Sequence, residues 1–174
     1  MVYYVRKATL KDLDSILEVM TDARKTLVSQ DIPQWRNNMG PNETSLTKDI
    51  ELEEGYVLIE NQNVMGYGTI TAAPQEAYNI ITEGSWLESK SYASIHRFAI
   101  HSAIKQRGMG FFFLGHLISF ANALGFDDMR IDTHPKNVRM QKVIEKVGFE
   151  YRGRVVLNLE NGERKAYQVK IEKK

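Results

Sequence analysis

Residues 101–126 read HSAIKQRGMGFFFLGHLISFANALGF, and the first ten pose the question that decides the fold. Lys105, Arg107, Gly108 and Gly110 stand immediately before a run with the spacing of a buried helix. Glycines leave main-chain N–H groups uncovered. The first helical turn adds N–H groups without intrahelical partners and the positive end of the helix dipole. With cations on either side, such a turn is a socket for an anion, and phosphate suits it best.

Working outward, Leu114, Leu117, Ile118, Ala121 and Leu124 share one face of a helix expected over 108–124. Gly125 is placed to end it, with Phe126 packing back over the last turn. SYASIHRFAI, 91–100, reads as the strand before the turn, and MRIDTH, 129–134, as the strand after the helix. A further helix over 137–147 buries Met140, Val143, Ile144 and Val147 at spacings of three and four, and Gly148 stops it. Towards the N-terminus, 2–7 is β-rich, and Thr9 caps a helix carrying Leu13, Ile16, Leu17, Met20 and Leu27. SQDIPQWRNNMGPNE breaks that helix, and a second is expected over 46–53. YVLIE and VMGYGTIT flank NQN as a hairpin, and YRGRVVLNL and KAYQVKIE form another around Asn161-Gly162. The segment 74–89 shows no clean periodicity, and the terminal KIEKK reads as a solvated tail. The pattern predicts one α/β domain over 1–174, with a mixed, mostly antiparallel seven-stranded sheet flanked by about four helices.

Composition restricts the anion. The 174 residues carry a formal charge of +1, which offers no general attraction to nucleic acid or anionic membrane, so any anion site is local. The absence of cysteine excludes disulfides, thiolate metal sites and a cysteine nucleophile. The four histidines show no paired metal spacing, so no metal is expected. The N-terminus lacks a signal-like apolar core, and no apolar run approaches the roughly 18 residues of a membrane span. A cytoplasmic location is the expectation.

Three phosphate loops compete. A Walker A loop requires Lys-Ser/Thr after its last glycine, where this chain has Phe111 and Phe112. A dinucleotide fingerprint requires a third glycine where Phe113 stands, together with an early βαβ unit. KQRGMG resembles the third: the acetyl-CoA pyrophosphate loop of GNAT acetyltransferases, Gln/Arg-x-x-Gly-x-Gly/Ala, with Lys105 departing at the first position. HRFAI is similar to the fourth strand of that family. DTHPKNVRMQKVIEKVGF resembles its fifth strand and following helix, and VRKATLKDLDSILEV its opening strand and helix. The similarity covers nearly the whole chain in element order and is sharpest over 94–151.

The resemblance implies an acyl-CoA N-acyltransferase fold with splayed central strands, and direct acetyl transfer to a primary amine. Main-chain groups of Phe98, Ala99 and Ile100 would pair with the pantetheine arm. Lys105, Gln106, Arg107, Gly108, Met109 and Gly110 would hold the pyrophosphate, a β-carbon at 108 or 110 standing where phosphate oxygens approach. Asn137 would contact the arm. A strand amide at or near Phe98 would serve the thioester oxygen. An alkylammonium with pKa near 10.4 is less than about one part in a thousand neutral at pH 7, so a base is required. Glu83, His96 and His134 are the candidates, with His96 expected on the same strand face as Phe98. The tyrosine that often protonates the leaving thiolate is replaced by Ile144, and Tyr151 is a poor substitute. Trp35 and Trp86 either wall the acceptor site or plug loops onto the core, and His116 is expected to be exposed. Polyamine, antibiotic, amino acid and protein N-terminus remain open as acceptors. Homodimerisation is an analogy with the family. A non-catalytic acyl-CoA-binding or sensing module and a nucleotide-dependent oxidoreductase are the rival functions.

Overall fold

Near-continuous apolar runs such as GYVLIE build strands buried on both faces, and helices close over each face. The computed structural model describes residues 1–172. Lys173 and Lys174, the end of the expected solvated tail, lie outside the described residues. Strand β1, Tyr3–Lys7, leads through a 3-10 turn into α1, Leu13–Ser29, and α2, Glu43–Glu51. The hairpin β2, Gly55–Glu60, and β3, Asn63–Thr71, follows, and then β4, Ala93–Ile100. Next come α3, Met109–Ala123, β5, Asp128–Thr133, α4, Val138–Val147, and the hairpin β6, Glu150–Val156, with β7, Glu163–Lys170. The seven strands lie in the order β1-β2-β3-β4-β5-β7-β6, and only β4 and β5 run parallel.

Two cores sandwich the sheet. Phe113, Leu114, Leu117 and Ala121 of α3 press on Ile95, Met129 and Ile131, joined by Ile144 of α4. On the other face Ile16, Val19 and Met20 of α1 and Leu46 and Ile50 of α2 cover Val57, Ile59, Tyr67 and Ala99. Each such side chain contributes about 1.5–3 kcal/mol on burial. Asn61 and Gln62 both take positive φ, 46° and 85°, which gives the two-residue β2–β3 turn the twist of its strands.

Three details depart from the sequence reading. Helix α2 starts at Glu43, not near residue 46, because Asn42 caps it: Ser45 N–H donates to Asn42 Oδ1 and Asn42 N–H to Ser45 Oγ, both at 3.0 Å. Leu124, expected on the buried face of α3, is 57% exposed because the helix ends at Ala123. His116 is half-buried and not exposed, its Nδ1 lying 2.8 Å from the Phe112 carbonyl.

Candidate active site

The site begins where one ladder stops. Strands β4 and β5 pair at Ala93–Met129, Ser94–Arg130 and Ile95–Ile131, and no further. Beyond that point the β4 edge from His96 to Ile100 has no β5 partner, and Asp132 and Thr133 pair only with β7. Into this fork opens a cleft of about 1120 Å³, lined at one end by the loop Lys105–Gly110 and at the other by α1, α2 and the β6–β7 connection.

A bulge sets what β4 presents to the cleft. Tyr67 faces Ala99 and Thr69 faces His96, so Arg97 and Phe98 together oppose the single residue Gly68. Arg97 takes a left-handed φ of 52°, uncommon for a residue with a side chain. The sequence places His96 and Phe98 on one face, and the extra residue overturns that. Phe98 stacks on Phe113 of α3 at 5.2 Å, whereas His96 shares the α1–α2 face with Thr69 and Ala99. Arg97 sends its guanidinium to Asp49 of α2, 3.1 Å away, and Tyr67 Oη donates to the same carboxylate at 3.1 Å. Burial raises the Asp49 pKa, opposed by Arg97 and the Tyr67 hydroxyl.

At the loop end, Lys105, Gln106, Arg107, Gly108, Met109 and Gly110 all line the cleft, as do Phe98, Ala99, Ile100 and Asn137. The N–H groups of 105–110 have no hydrogen-bond acceptor among the described residues. Gly108 caps α3 with φ 82°, and a β-carbon there would meet nothing within 4 Å, so its cradle is open as a diphosphate requires. At Gly110 a β-carbon would stand 3.3 Å from Val143 of α4, so this position is also tight against the neighbouring helix. Arg139, Lys142 and Lys146 add cationic side chains to this end, and among the described residues no carboxylate lines it. The sequence gives those α4 cations no prominence, since the polar half of that helix looks merely solvent-facing. Asn137 both caps α4, accepting from Met140 N–H at 3.1 Å, and borders the cleft.

The three candidate bases separate by position. Glu83 is exposed, accepts from Arg154 Nε at 2.9 Å, and does not border the cleft. His134 is buried in the turn after β5, where its Nδ1 accepts from Lys136 N–H at 3.1 Å, again away from the cleft wall. His96 lines the cleft, and its Nε2 is sealed from solvent without a hydrogen-bond partner. Burial lowers its pKa, Asp132 opposes the shift and Arg97 reinforces it, so the ring is neutral at pH 7.

Facing His96 across the fork is a charged group that the sequence reading did not single out. Asp132 accepts from Tyr78 Oη at 2.7 Å and lies 3.6 Å from Nε of Arg164. Arg164 is 3% exposed, yet it borders the cleft. Burial lowers its pKa against the attraction of Asp132. Both strands, DMRIDT and ERKAYQVK, carry several charged residues, so their patterns single out neither of these two.

The remaining expectations resolve plainly. Ile144 is fully buried in the α3-side core and not in the cleft wall, and Tyr151 is 42% exposed against Tyr167. Trp35 lines the cleft. Trp86 instead plugs its segment onto the core, donating from Nε1 to the Tyr78 carbonyl at 2.9 Å and packing over Arg130. Among the described residues no group of His, Asp and Glu side chains is arranged to hold a metal ion, and no helix is long and apolar enough to cross a membrane.

Comparison with known proteins matches the same architecture. The model of the acetyltransferase (GNAT) domain matches residues 3–150. An acetyltransferase of the GNAT family from Streptococcus agalactiae is 33% identical, with a TM-score of 0.89 over 98% of this chain and 96% of that one. PaiA N-acetyltransferase from Thermoplasma acidophilum, solved with coenzyme A, shares the fold at 15% identity and a TM-score of 0.70, over 98% of this chain and all of that one. YncA from Salmonella typhimurium, solved with acetyl-CoA, does so at 16% identity and 0.70, over all of this chain and 96% of that one. No match is found among curated proteins. With the forked sheet, the open glycine cap and the cationic loop all in place, the chain belongs to the GNAT family of acetyltransferases.

Proposed function

We propose that the protein transfers the acetyl group of acetyl-CoA directly to a primary amine, with His96 as the base. One observation carries this: a single cleft joins an unsatisfied, cationic N–H loop to a partner-free imidazole across a gap in the sheet. Such a cleft can hold donor and acceptor together, which direct transfer demands and which turns a bimolecular encounter into an oriented one.

Acetyl-CoA enters as a substrate. Its diphosphate suits the N–H groups of 105–110 and the α3 dipole, and its arm suits the unpaired β4 edge at Phe98, Ala99 and Ile100. The amine lone pair attacks the carbonyl carbon as the nitrogen's proton passes to the His96 ring, which lines the cleft. A main-chain N–H of the β4 edge at Phe98 supports the oxygen that gains charge. The C–N bond then forms fully while the C–S bond breaks, its electron pair going to sulfur. A thiol with pKa near the ~8.5 of cysteine departs without a dedicated acid, in keeping with Ile144 in the core.

Thiol release from acetyl-CoA across a panel of primary amines tests this. The expected result is release with at least one amine class, reduced about 10²–10⁴-fold in His96→Gln. The packing of Ile144 where the family often has tyrosine favours a second reading, an acyl-CoA-binding module without turnover. Thermal stabilisation by acetyl-CoA with no thiol released by any amine would establish that reading instead.

A further inference from the structure

Three cationic side chains line the acceptor end of the cleft: Lys48, Arg97 and Arg164. Lys48 is exposed, and Arg97 is answered by Asp49 at 3.1 Å. Arg164 is neither. It is almost wholly buried, and its nearest carboxylate, Asp132, is 3.6 Å from Nε. That carboxylate gives its short contact to Tyr78 Oη instead, at 2.7 Å. Arg164 Nη1 donates to the carbonyls of Asn161 and Glu163, both at 2.7 Å. Nη2 donates to no acceptor among the described residues, and it is not one of the side-chain nitrogens sealed from solvent. A buried guanidinium on the wall of a cleft, loosely matched and with one donor unpaired, suits an anion from the cleft side.

The neighbouring charge narrows that anion. Asp132 shares the wall with Arg164 and stands one position beyond the last β4–β5 pair, opposite His96. A positive and a negative group are therefore adjacent beside the base. The complement of that pattern is a molecule with an ammonium and a carboxylate a few ångströms apart. A plain polyamine would set a second cation against Arg164, and an N-terminal peptide amine has an amide where the carboxylate would be.

Resting on the acetyl-transfer reading, we propose that the acceptor is an amino carboxylate. Its carboxylate binds Arg164, and its amine is held between Asp132 and His96. The guanidinium fork is the specificity determinant, and Asp132 draws in the ammonium before His96 takes its proton.

Matched sets of acceptors test this without any variant. Thiol release from acetyl-CoA is measured with each protein amino acid, its primary carboxamide and its decarboxylated amine. The expected result is at least one free acid preferred about tenfold or more in kcat/KM over its own carboxamide and amine. Arg164→Gln is expected to shrink that acid-to-amide ratio about tenfold, with acetyl-CoA still raising its melting temperature. A structural role for Arg164 would lower both rates and keep the ratio. Carboxamides or amines used as well as the acids overturn the inference while leaving amine acetylation standing. No release with any member of any set overturns both.

Discussion

His96 and Phe98 lie two residues apart on β4 yet face opposite sides of the sheet, because Arg97 between them bulges with φ 52°. The bulge turns the imidazole towards the acceptor end and leaves the Phe98 ring against α3. Without it, the proposed base and the proposed coenzyme-side anchor would compete for one face.

That placement gives the transfer rate a definite acid limb. The His96 pKa is lowered from 6.5, chiefly by burial, so the ring of the proposed base is uncharged at neutral pH. In the parent, kcat/KM is expected to hold down to pH 6.5 and to fall only below it, and His96→Gln is expected to lose that limb. Stability moves in the same sense. The folded state binds fewer protons than the unfolded chain between the lowered pKa and 6.5, so this residue's share of stability is lost as pH falls through that window. Rate profiles and urea midpoints over pH 5–8 measure both.

Gly108 makes a separate demand. Its φ of 82° and open surroundings mean that Gly108→Glu strains the cap and sets a carboxylate where the diphosphate is proposed to bind. The folded variant is expected to lose the acetyl-CoA melting shift, which in the parent corresponds to about 2.7 kcal/mol at a hundredfold excess over Kd. A shift as large as the parent's rules out the loop as the grip.

Asp12 tests stability at the far end of the sheet. Arg6 donates to it through two nitrogens at 2.8 Å, and its pKa falls to about 2, first through that bond and then through Thr9 against the cost of burial. A depressed carboxylate pKa contributes stability above its unfolded value near 3.8, lost as pH falls towards 2. Because Arg6 is 38% exposed, solvent screening holds the effect to about 1 kcal/mol. Asp12→Asn is expected to remove that much from the urea unfolding free energy at pH 7 and almost none at pH 2.

Gly153 and Glu83 form a contrasting pair. A β-carbon on Gly153 would sit 2.4 Å from the Thr82 carbonyl, at φ 146°, so Gly153→Ala is expected to cost about 3 kcal/mol or more. Glu83 makes only an exposed pair with Arg154, and Glu83→Gln is expected to change stability by under about 1 kcal/mol and thiol release by less than twofold. Denaturant melts and the amine assay separate the two.

How much of this was readable beforehand follows from the range of each interaction. The seven strands, α3, α4 and the Lys105–Gly110 loop were legible because periodicity and turn chemistry act within a few residues. The start of α2 was misjudged because its Asn42–Ser45 cap lies inside a stretch dominated by proline and glycine. The bulge at Arg97 left no mark, since neither glycine nor proline signals it; its partner, Asp49, comes from a distant helix. Asp132 and Arg164 are 32 positions apart, and only the β5–β7 pairing brings them together. The close neighbour of Gly110, Val143, lies on another helix and so left no local trace either.

Ser102, at the start of the coenzyme loop, is fastened to α1 twice: its N–H and its hydroxyl each reach Asp22 at 2.7 Å. The very next residue on α1, Ala23, belongs to the acceptor wall. Sliding or tilting that helix therefore tugs on the loop, and straightening the loop tugs on the helix. The two ends of the cleft are thus tied through Asp22, and a displacement of either is passed to the other by two short hydrogen bonds.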